Sequence, residues 1–212
     1  MADASVTWAK LRRQRALLLG LVFGTLAAVL VARALDPTHW FRGDLGRVDL
    51  GRVYVTGTCS YSRVAVDMLA ADPGAPWVAL PLDVKTPEFD APVCHAALTR
   101  MQAAGAWWLA VIPESEACRR LQQWAGERYA KETPAQGFPA WVGDDGSFRG
   151  FGVDPGQIAA LGLTPTPKIV AFWIEGGYDR ALVESLGFTV PEGVEQGLPI
   201  RSPQAIPEPH AR

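Results

Sequence analysis

The feature that most limits how this chain can fold is an uninterrupted apolar run near the N-terminus, Ala16 to Ala32. A basic cluster precedes it, consisting of Lys10, Arg12, Arg13 and Arg15. Extended to residue 35, the stretch approaches the roughly 20 residues that cross the hydrocarbon core of a bilayer. Because basic residues stay on the cytoplasmic side, we predict a cytoplasmic segment at 1–15, a transmembrane anchor at 16–35, and the rest of the chain outside.

A cleaved signal peptide is the alternative interpretation of this run, because residues 32–34 have the small-x-small form of a cleavage site. Both interpretations place the following domain in the same compartment. We therefore predict a single-pass protein of the inner (cytoplasmic) membrane, with its domain on the periplasmic, extracytoplasmic side and the membrane itself as a partner through the N-terminal helix.

The composition of the rest of the chain is that of an ordinary globular protein, with 49% hydrophobic and 20% charged residues overall. The formal net charge is −2 and no long basic run occurs outside the N-terminus, so no nucleic acid is expected as a partner. We divide the remainder into a linker at 36–50, one domain at 51–188 and a proline-rich, extended or disordered tail at 189–212.

Apolar runs that predict strands alternate along the domain with segments of helical periodicity. The predicted strands are Arg52–Thr56, Trp77–Val84, Trp107–Ile112 and Lys168–Ile174, together with a hairpin, Ala140–Phe151, on a two-residue Asp145-Gly146 turn. The predicted helices begin at Ser60, cover 92–104 and Ser115–Lys131, and resume at Pro155 after an Asp154 N-cap. Such alternation predicts an α/β fold.

Cys59 lies where the first predicted strand turns into the first predicted helix. Backbone N–H groups and the positive end of the helix dipole meet at such a position, and both favour the thiolate form of a cysteine. Because the thiolate is the reactive form, we interpret Cys59 as a candidate nucleophile. A small buried hydrophobic residue is the structural alternative for a free cysteine.

The segment Val53–Ser62, V-Y-V-T-G-T-C-S-Y-S, resembles the glutaredoxin branch of the thioredoxin superfamily, in which a strand leads into Cys-x-Tyr-Cys. The resemblance implies a thioredoxin-like fold: a central mixed sheet flanked by helices, here with a helical insertion. It assigns the family's nucleophile to Cys59 and a substrate contact to Tyr61. Ser62 stands where the family has its second, resolving cysteine, and Ser60 replaces the usual proline.

A second segment, Gln136–Leu161, resembles the glutaredoxin stretch in which Gly-x-Pro leads into a hairpin. This likeness implies that Pro139 follows a cis bond and faces the nucleophile, and that the backbone of Phe138 binds substrate like an added strand. Leu161–Phe172 resembles instead the Thr-Pro segment of periplasmic disulfide isomerases. That likeness makes Thr166–Pro167 the alternative cis pair.

The two remaining cysteines, Cys94 and Cys118, lie on predicted helices outside these segments. The predicted compartment is oxidising, so we expect a disulfide between them. Two separate buried thiols, or a resolving thiol for Cys59, are the alternatives. No cysteine or histidine pair has the spacing of a zinc site, and no metal is expected.

The replacement of the second motif cysteine by Ser62 bears directly on function, because a hydroxyl does not resolve a mixed disulfide. The resemblance therefore implies monothiol exchange: Cys59 attacks the disulfides of envelope proteins, and an external thiol such as glutathione, a co-substrate and not a bound cofactor, releases the adduct. A redox-inactive thioredoxin-fold binding or assembly module of the cell envelope is the alternative. A monothiol protein that holds a glutathione-type ligand or an iron–sulfur cluster is a third hypothesis.

Overall fold

The computed structural model describes residues 19–28, 48–82 and 86–198 of the chain. By their internal contacts the residues divide into two compact units, Met1–Arg47 and Val48–Arg212. The second unit contains Cys59 and every other candidate site residue. Its strands and helices are numbered below from the start of that unit.

In the first unit, residues 19–28 are helical. They belong to the predicted anchor at 16–35, and the other residues of that anchor lie outside the described part of the chain. The predicted cytoplasmic segment, most of the predicted linker and the end of the predicted tail, from residue 199, lie outside it as well. Within the described ranges, no helix is both long enough and apolar enough to span a membrane.

The second unit is an α/β structure with a four-stranded mixed sheet in the order β2-β1-β3-β4. Its strands are β1 Gly51–Val55, β2 Trp77–Pro81, β3 Ala140–Val142 and β4 Phe148–Phe151. β1 pairs in parallel with β2, where Val53 lies opposite Ala79, and antiparallel with β3, where Val53 lies opposite Trp141. β3 and β4 form an antiparallel hairpin, so β1 is a central strand.

Helices flank this sheet. Within the described residues of the unit they are α1 Ser60–Ala71, α2 Pro87–Ala103, α3 Glu114–Glu132, α4 Pro155–Ala160, α5 Pro167–Glu175 and α6 Arg180–Ser185. α2 begins at Pro87 and not at the predicted residue 92. α4 begins as predicted: the Asp154 carboxylate accepts a hydrogen bond from the Gln157 N–H, and Pro155 takes the first helical position.

Both faces of β1 are covered, because all five of its residues are buried. Side chains alternate along a strand, so Val53 and Val55 point to one face while Arg52 and Tyr54 point to the other. The first face joins the main hydrophobic core, which includes Ala65 and Met68 of α1, Trp141 of β3, Ile158 of α4, and Ile169, Val170 and Trp173 of α5. On the second face, α3 supplies Glu132 to both Arg52 and Tyr54.

Two apolar runs predicted as strands are helical, and both predictions are wrong. Trp107–Ile112 contains a 3₁₀ segment, Trp107–Val111, in which Trp108 and Leu109 are buried while its two end residues are exposed. Lys168–Ile174 lies in α5, where burial recurs at helical spacing at Ile169, Val170, Trp173 and Ile174. Short apolar runs fit a strand and a buried helix equally well, and here tertiary packing favours the helix.

The β3–β4 hairpin forms within the predicted range, but its turn is not the predicted two-residue turn. The Gly146 N–H donates to the Gly143 carbonyl at 3.0 Å, and the Gly143 N–H donates to the Ser147 carbonyl at 2.8 Å. The loop therefore holds residues 144–146. Gly146 has a φ of +80°, which glycine adopts without steric cost. A type I turn followed by a left-handed residue is the usual three-residue hairpin loop.

Candidate functional site

Cys59 is the N-cap residue of α1 and lies just beyond the end of β1; its side chain makes no capping hydrogen bond. The Cys59 N–H donates to the Thr56 carbonyl at 3.2 Å, and the Cys59 carbonyl accepts from the Arg63 N–H at 3.3 Å. The cysteine is free and partly exposed. Its sulfur therefore combines partial access to solvent with a position at the N-terminus of a helix.

Phe138 and Pro139 lie opposite this thiol, although 79 residues separate Phe138 from Cys59 in the sequence. The Cys59 thiol donates to the Phe138 carbonyl oxygen at an Sγ–O distance of 3.5 Å. Phe138–Pro139 is the one cis peptide bond among the described residues. The alternative pair is wrong: Thr166 is the N-cap of α5 and Pro167 its first residue, a position that suits a proline after a trans bond.

Ser62 lies one turn along α1 from Cys59, and its side chain is completely buried. The Ser62 hydroxyl oxygen accepts a hydrogen bond from the Thr56 N–H at 3.2 Å. Ser62 thus contacts the backbone at the point where β1 ends. In this structure its hydroxyl stabilises the junction between the strand and the helix that carries Cys59.

Tyr129 of α3 fixes the loop that carries Phe138. The two rings are stacked, with centroids 5.2 Å apart and planes 17° apart. The Tyr129 hydroxyl accepts a hydrogen bond from the Gly137 N–H at 3.0 Å and donates to the Gly137 carbonyl at 3.3 Å. Sequence reasoning missed this residue, because an aromatic side chain near the end of a helix gives no sign of which distant loop it contacts.

The loop between β1 and Cys59 packs tightly against the start of α2. A side chain at Gly57 would collide with Thr86 and contact Phe89, so the close approach requires a glycine. Arg63 of α1 donates two hydrogen bonds to the Gly57 carbonyl, at 3.3 and 3.1 Å, and its guanidinium lies 5.9 Å from the Phe89 ring centroid. Arg63 therefore holds the loop that carries Cys59, and it also lines a groove of about 530 Å³ between α1 and α2.

Tyr61, two residues after Cys59, is 48% exposed. Its ring meets the ring of Phe172 from α5 edge to face, with centroids 6.0 Å apart, and Phe172 is 37% exposed. Burial, followed by the nearby Asp154 and Tyr61, raises the pKa of the partly buried Tyr178. Tyr61 and Phe172 thus form an exposed aromatic pair at the first turn of α1, just after Cys59 in the sequence.

A buried polar network lies beneath the site. The Glu132 carboxylate accepts from the Tyr54 hydroxyl at 2.6 Å and from Arg52 Nε and Nη2, each at 3.2 Å. The Arg52 and Glu132 side chains are 7% and 9% exposed. Burial, and then the bond to Glu132, raises the pKa of Tyr54. The Tyr54 ring also meets Tyr129 edge to face at 5.5 Å, so the network contacts the residue that fixes Phe138.

Cys94 of α2 and Cys118 of α3 are joined in a disulfide, with Cα atoms 5.8 Å apart. Both sulfurs are used in this bond, so neither is a free thiol beside Cys59. A hydrogen bond of 2.9 Å between His95 and Glu114 links the same two helices at the surface. The disulfide therefore ties α2, which contacts the Cys59 loop, to α3, which holds the Phe138 loop.

Among the described residues, no group of three or more His, Cys, Asp or Glu side chains could hold a metal ion. No protein-family model, no curated protein and no solved structure matches the chain.

Proposed function

We propose that this protein is a membrane-tethered, extracytoplasmic thiol–disulfide exchange protein that acts through Cys59, and that its domain is a thioredoxin-like fold of the glutaredoxin branch. One observation carries the proposal: the 3.5 Å contact between the Cys59 sulfur and the Phe138 carbonyl oxygen. It brings together two segments that resemble the same family independently. A partly exposed thiol at a helix N-terminus, beside an accessible loop, is an arrangement suited to attack on a disulfide.

The proposed reaction takes place in two exchange steps. The Cys59 thiolate attacks one sulfur of a disulfide in an envelope protein; a new S–S bond forms, the original bond breaks, and the second sulfur leaves as a thiolate. An external thiol, for which glutathione is our proposal, then attacks this mixed disulfide. Cys59 leaves as the thiolate again, and the client protein carries the external thiol in a disulfide.

The need for an external thiol follows from the surroundings of Ser62. Its hydroxyl is buried and accepts a hydrogen bond from the Thr56 N–H, and a hydroxyl does not displace a thiolate from a disulfide. Cys94 and Cys118 are bonded to each other and offer no free thiol. We therefore expect mixed disulfides on Cys59 to be long-lived when no small thiol is present.

A second candidate function has support from the exposed aromatic pair. Tyr61 and Phe172 offer apolar rings to solvent next to the site, and exposed apolar surface marks interaction sites. A redox-inactive envelope module would use this surface for binding without covalent chemistry. The two functions differ in whether the Cys59 sulfur reacts.

The test measures how fast Cys59 of the purified 212-residue chain forms a disulfide with oxidised glutathione at neutral pH. Peptide mass spectrometry locates the adduct, and the same chain unfolded in urea gives the rate for an unstructured cysteine. We expect a single adduct, on Cys59, that forms about tenfold faster in the folded chain, because the N–H groups at a helix N-terminus stabilise the negative charge of an attacking sulfur.

Two controls make this result specific. Cys59→Ser should give no adduct, and Ser60→Ala, at the next position, should keep the folded rate. If the folded chain reacts no faster than the unfolded chain, the exchange proposal is wrong and the binding module takes its place.

A further inference from the structure

The Cys94–Cys118 disulfide lies in the wall of a surface pocket. The pocket has a volume of about 400 Å³, and both cysteines line it. Ala91 of α2 and Ser115 of α3, both exposed, line it as well. A disulfide that only braces two helices could be sealed in the core, whereas this one lines a pocket at the surface.

The two sulfur-bearing residues differ in burial. Cys94 is 1% exposed, and Cys118 is partly exposed. Thiol–disulfide exchange depends on access of the attacking sulfur to the bond. The difference in residue burial therefore favours attack at Cys118 Sγ, with Cys94 as the leaving group on the more buried side.

The charge of the pocket bears on which thiols attack. Two carboxylates line it, the buried Asp90, which accepts a hydrogen bond from the Thr86 N–H, and the exposed Glu114; among the described lining residues there is no basic side chain. Glu114 is largely exposed, with 60% of its side chain open to solvent, and it hydrogen-bonds to His95 on the α2 side. An anionic thiol meets like charge at this opening, whereas an uncharged or cationic thiol does not.

We propose that Cys94–Cys118 is a second thiol-exchange site, opened in the folded protein by a small uncharged or cationic thiol that enters through this pocket. With a dithiol reductant, one thiolate of the reductant forms a bond to Cys118 Sγ while the bond between the two protein sulfurs breaks. Cys94 leaves as a thiolate, which takes a proton from water. The second thiol of the reductant then displaces Cys118. The protein gains two thiols, and the reductant becomes a cyclic disulfide.

The site does not depend on the proposed chemistry of Cys59, so the test uses the 212-residue chain carrying Cys59→Ser. Dithiothreitol, which is uncharged, is added over a series of low urea concentrations, and differential alkylation with mass spectrometry follows the loss of the Cys94–Cys118 bond. Reduction through the pocket should proceed at a rate that is nearly independent of urea, because no global unfolding is required. A rate that rises with urea as steeply as global unfolding does would overturn the proposal.

A pocket-filling variant tests the route of entry. Ala91→Trp should slow reduction by about tenfold or more by blocking access to Cys118. Ala103→Trp, at an exposed position on the same helix outside the pocket lining, should leave the rate unchanged. Equal rates in the two variants would show that the thiol does not enter here.

Charge selection is tested with two monothiols, cationic cysteamine and anionic mercaptoacetate, each rate being normalised to the concentration of its thiolate. Cysteamine should react several-fold faster at low ionic strength, and added salt should reduce the difference. Glu114→Gln should reduce it as well. Equal normalised rates for both thiols in the unsubstituted pocket would refute the assigned class of thiol.

Discussion

The buried network around Glu132 gives the sharpest test of how the fold beneath the site is stabilised. The perturbation is Glu132→Gln, which keeps the size of the side chain and an acceptor oxygen but removes the charge. Arg52 is 7% exposed and donates two hydrogen bonds to this carboxylate, and Tyr54 donates a third. The substitution therefore leaves the Arg52 guanidinium buried without the charge that now compensates it.

The size of the effect follows from that burial. Removal of one partner of a buried ion pair costs about 3–5 kcal/mol, a large part of the roughly 5–15 kcal/mol that stabilises a typical domain. Arg128, whose Nη1 lies 3.5 Å from Glu132, is more exposed, so its contribution is screened by water. We therefore expect the loss to depend mainly on Arg52.

The assay is urea unfolding of the 212-residue chain followed by tryptophan fluorescence, with the free energy of unfolding obtained by linear extrapolation. Glu116→Gln is the matched control, since Glu116 lies on the same helix and pairs with the exposed Arg119 and the partly buried Arg120. It should change stability far less, because the Glu116 side chain is 32% exposed and water screens its charge.

The double variant Arg52→Leu/Glu132→Leu separates charge from packing. It should recover part of the stability lost in Glu132→Gln, because it removes both buried charges together, although the buried Tyr54 hydroxyl loses its Glu132 acceptor. A free energy of unfolding for Glu132→Gln within about 1 kcal/mol of that of the unsubstituted protein would show that Arg52 is not left as an uncompensated buried charge.

Two further predictions concern Tyr54 and Ser62. The folded protein keeps Tyr54 protonated, whereas in the unfolded chain this tyrosine ionises near pH 10. Above that pH the folded state therefore binds more protons, and the free energy of unfolding falls by up to about 1.4 kcal/mol per pH unit. Unfolding titrations should show that the stability advantage of the unsubstituted protein over Tyr54→Phe shrinks above about pH 10, and a constant difference would contradict this. Ser62→Cys and Ser62→Ala should each lose about 1 kcal/mol with the Thr56 hydrogen bond. Only Ser62→Cys should shorten the lifetime of a glutathione adduct on Cys59, measured by quenched mass spectrometry. Equal adduct lifetimes in Ser62→Cys and Ser62→Ala would show that a thiol at position 62 does not resolve the adduct.

Local patterns in the sequence predict the strand–helix junction at Cys59 well, because each signal lies within a few residues. β1 is a short strand with valines at alternate positions, α1 has apolar residues at helical spacing, and Asp154 with Pro155 marks a helix start. The runs at Trp107–Ile112 and Lys168–Ile174 are different. Their residues suit a strand and a buried helix alike, and contacts distant in sequence decide between the two.

Contacts within the site were harder to predict for the same reason. The stacking of Tyr129 on Phe138 and the bonds from Glu132 to Arg52 and Tyr54 depend on how α3 lies against the sheet. No local pattern specifies that placement. The pocket beside the disulfide likewise exists only once α2 and α3 are packed together.

The short outer strand β4 has a consequence for self-association. An exposed strand edge offers unpaired backbone groups to a second sheet, which makes it a starting point for aggregation. β4 is only four residues long, carries the exposed Arg149 at its second position, and pairs with a strand whose register shifts between Trp141 and Val142. A short, irregular and charged edge is a poor template for edge-to-edge pairing. Concentrated protein should therefore resist the joining of two sheets through their β4 edges.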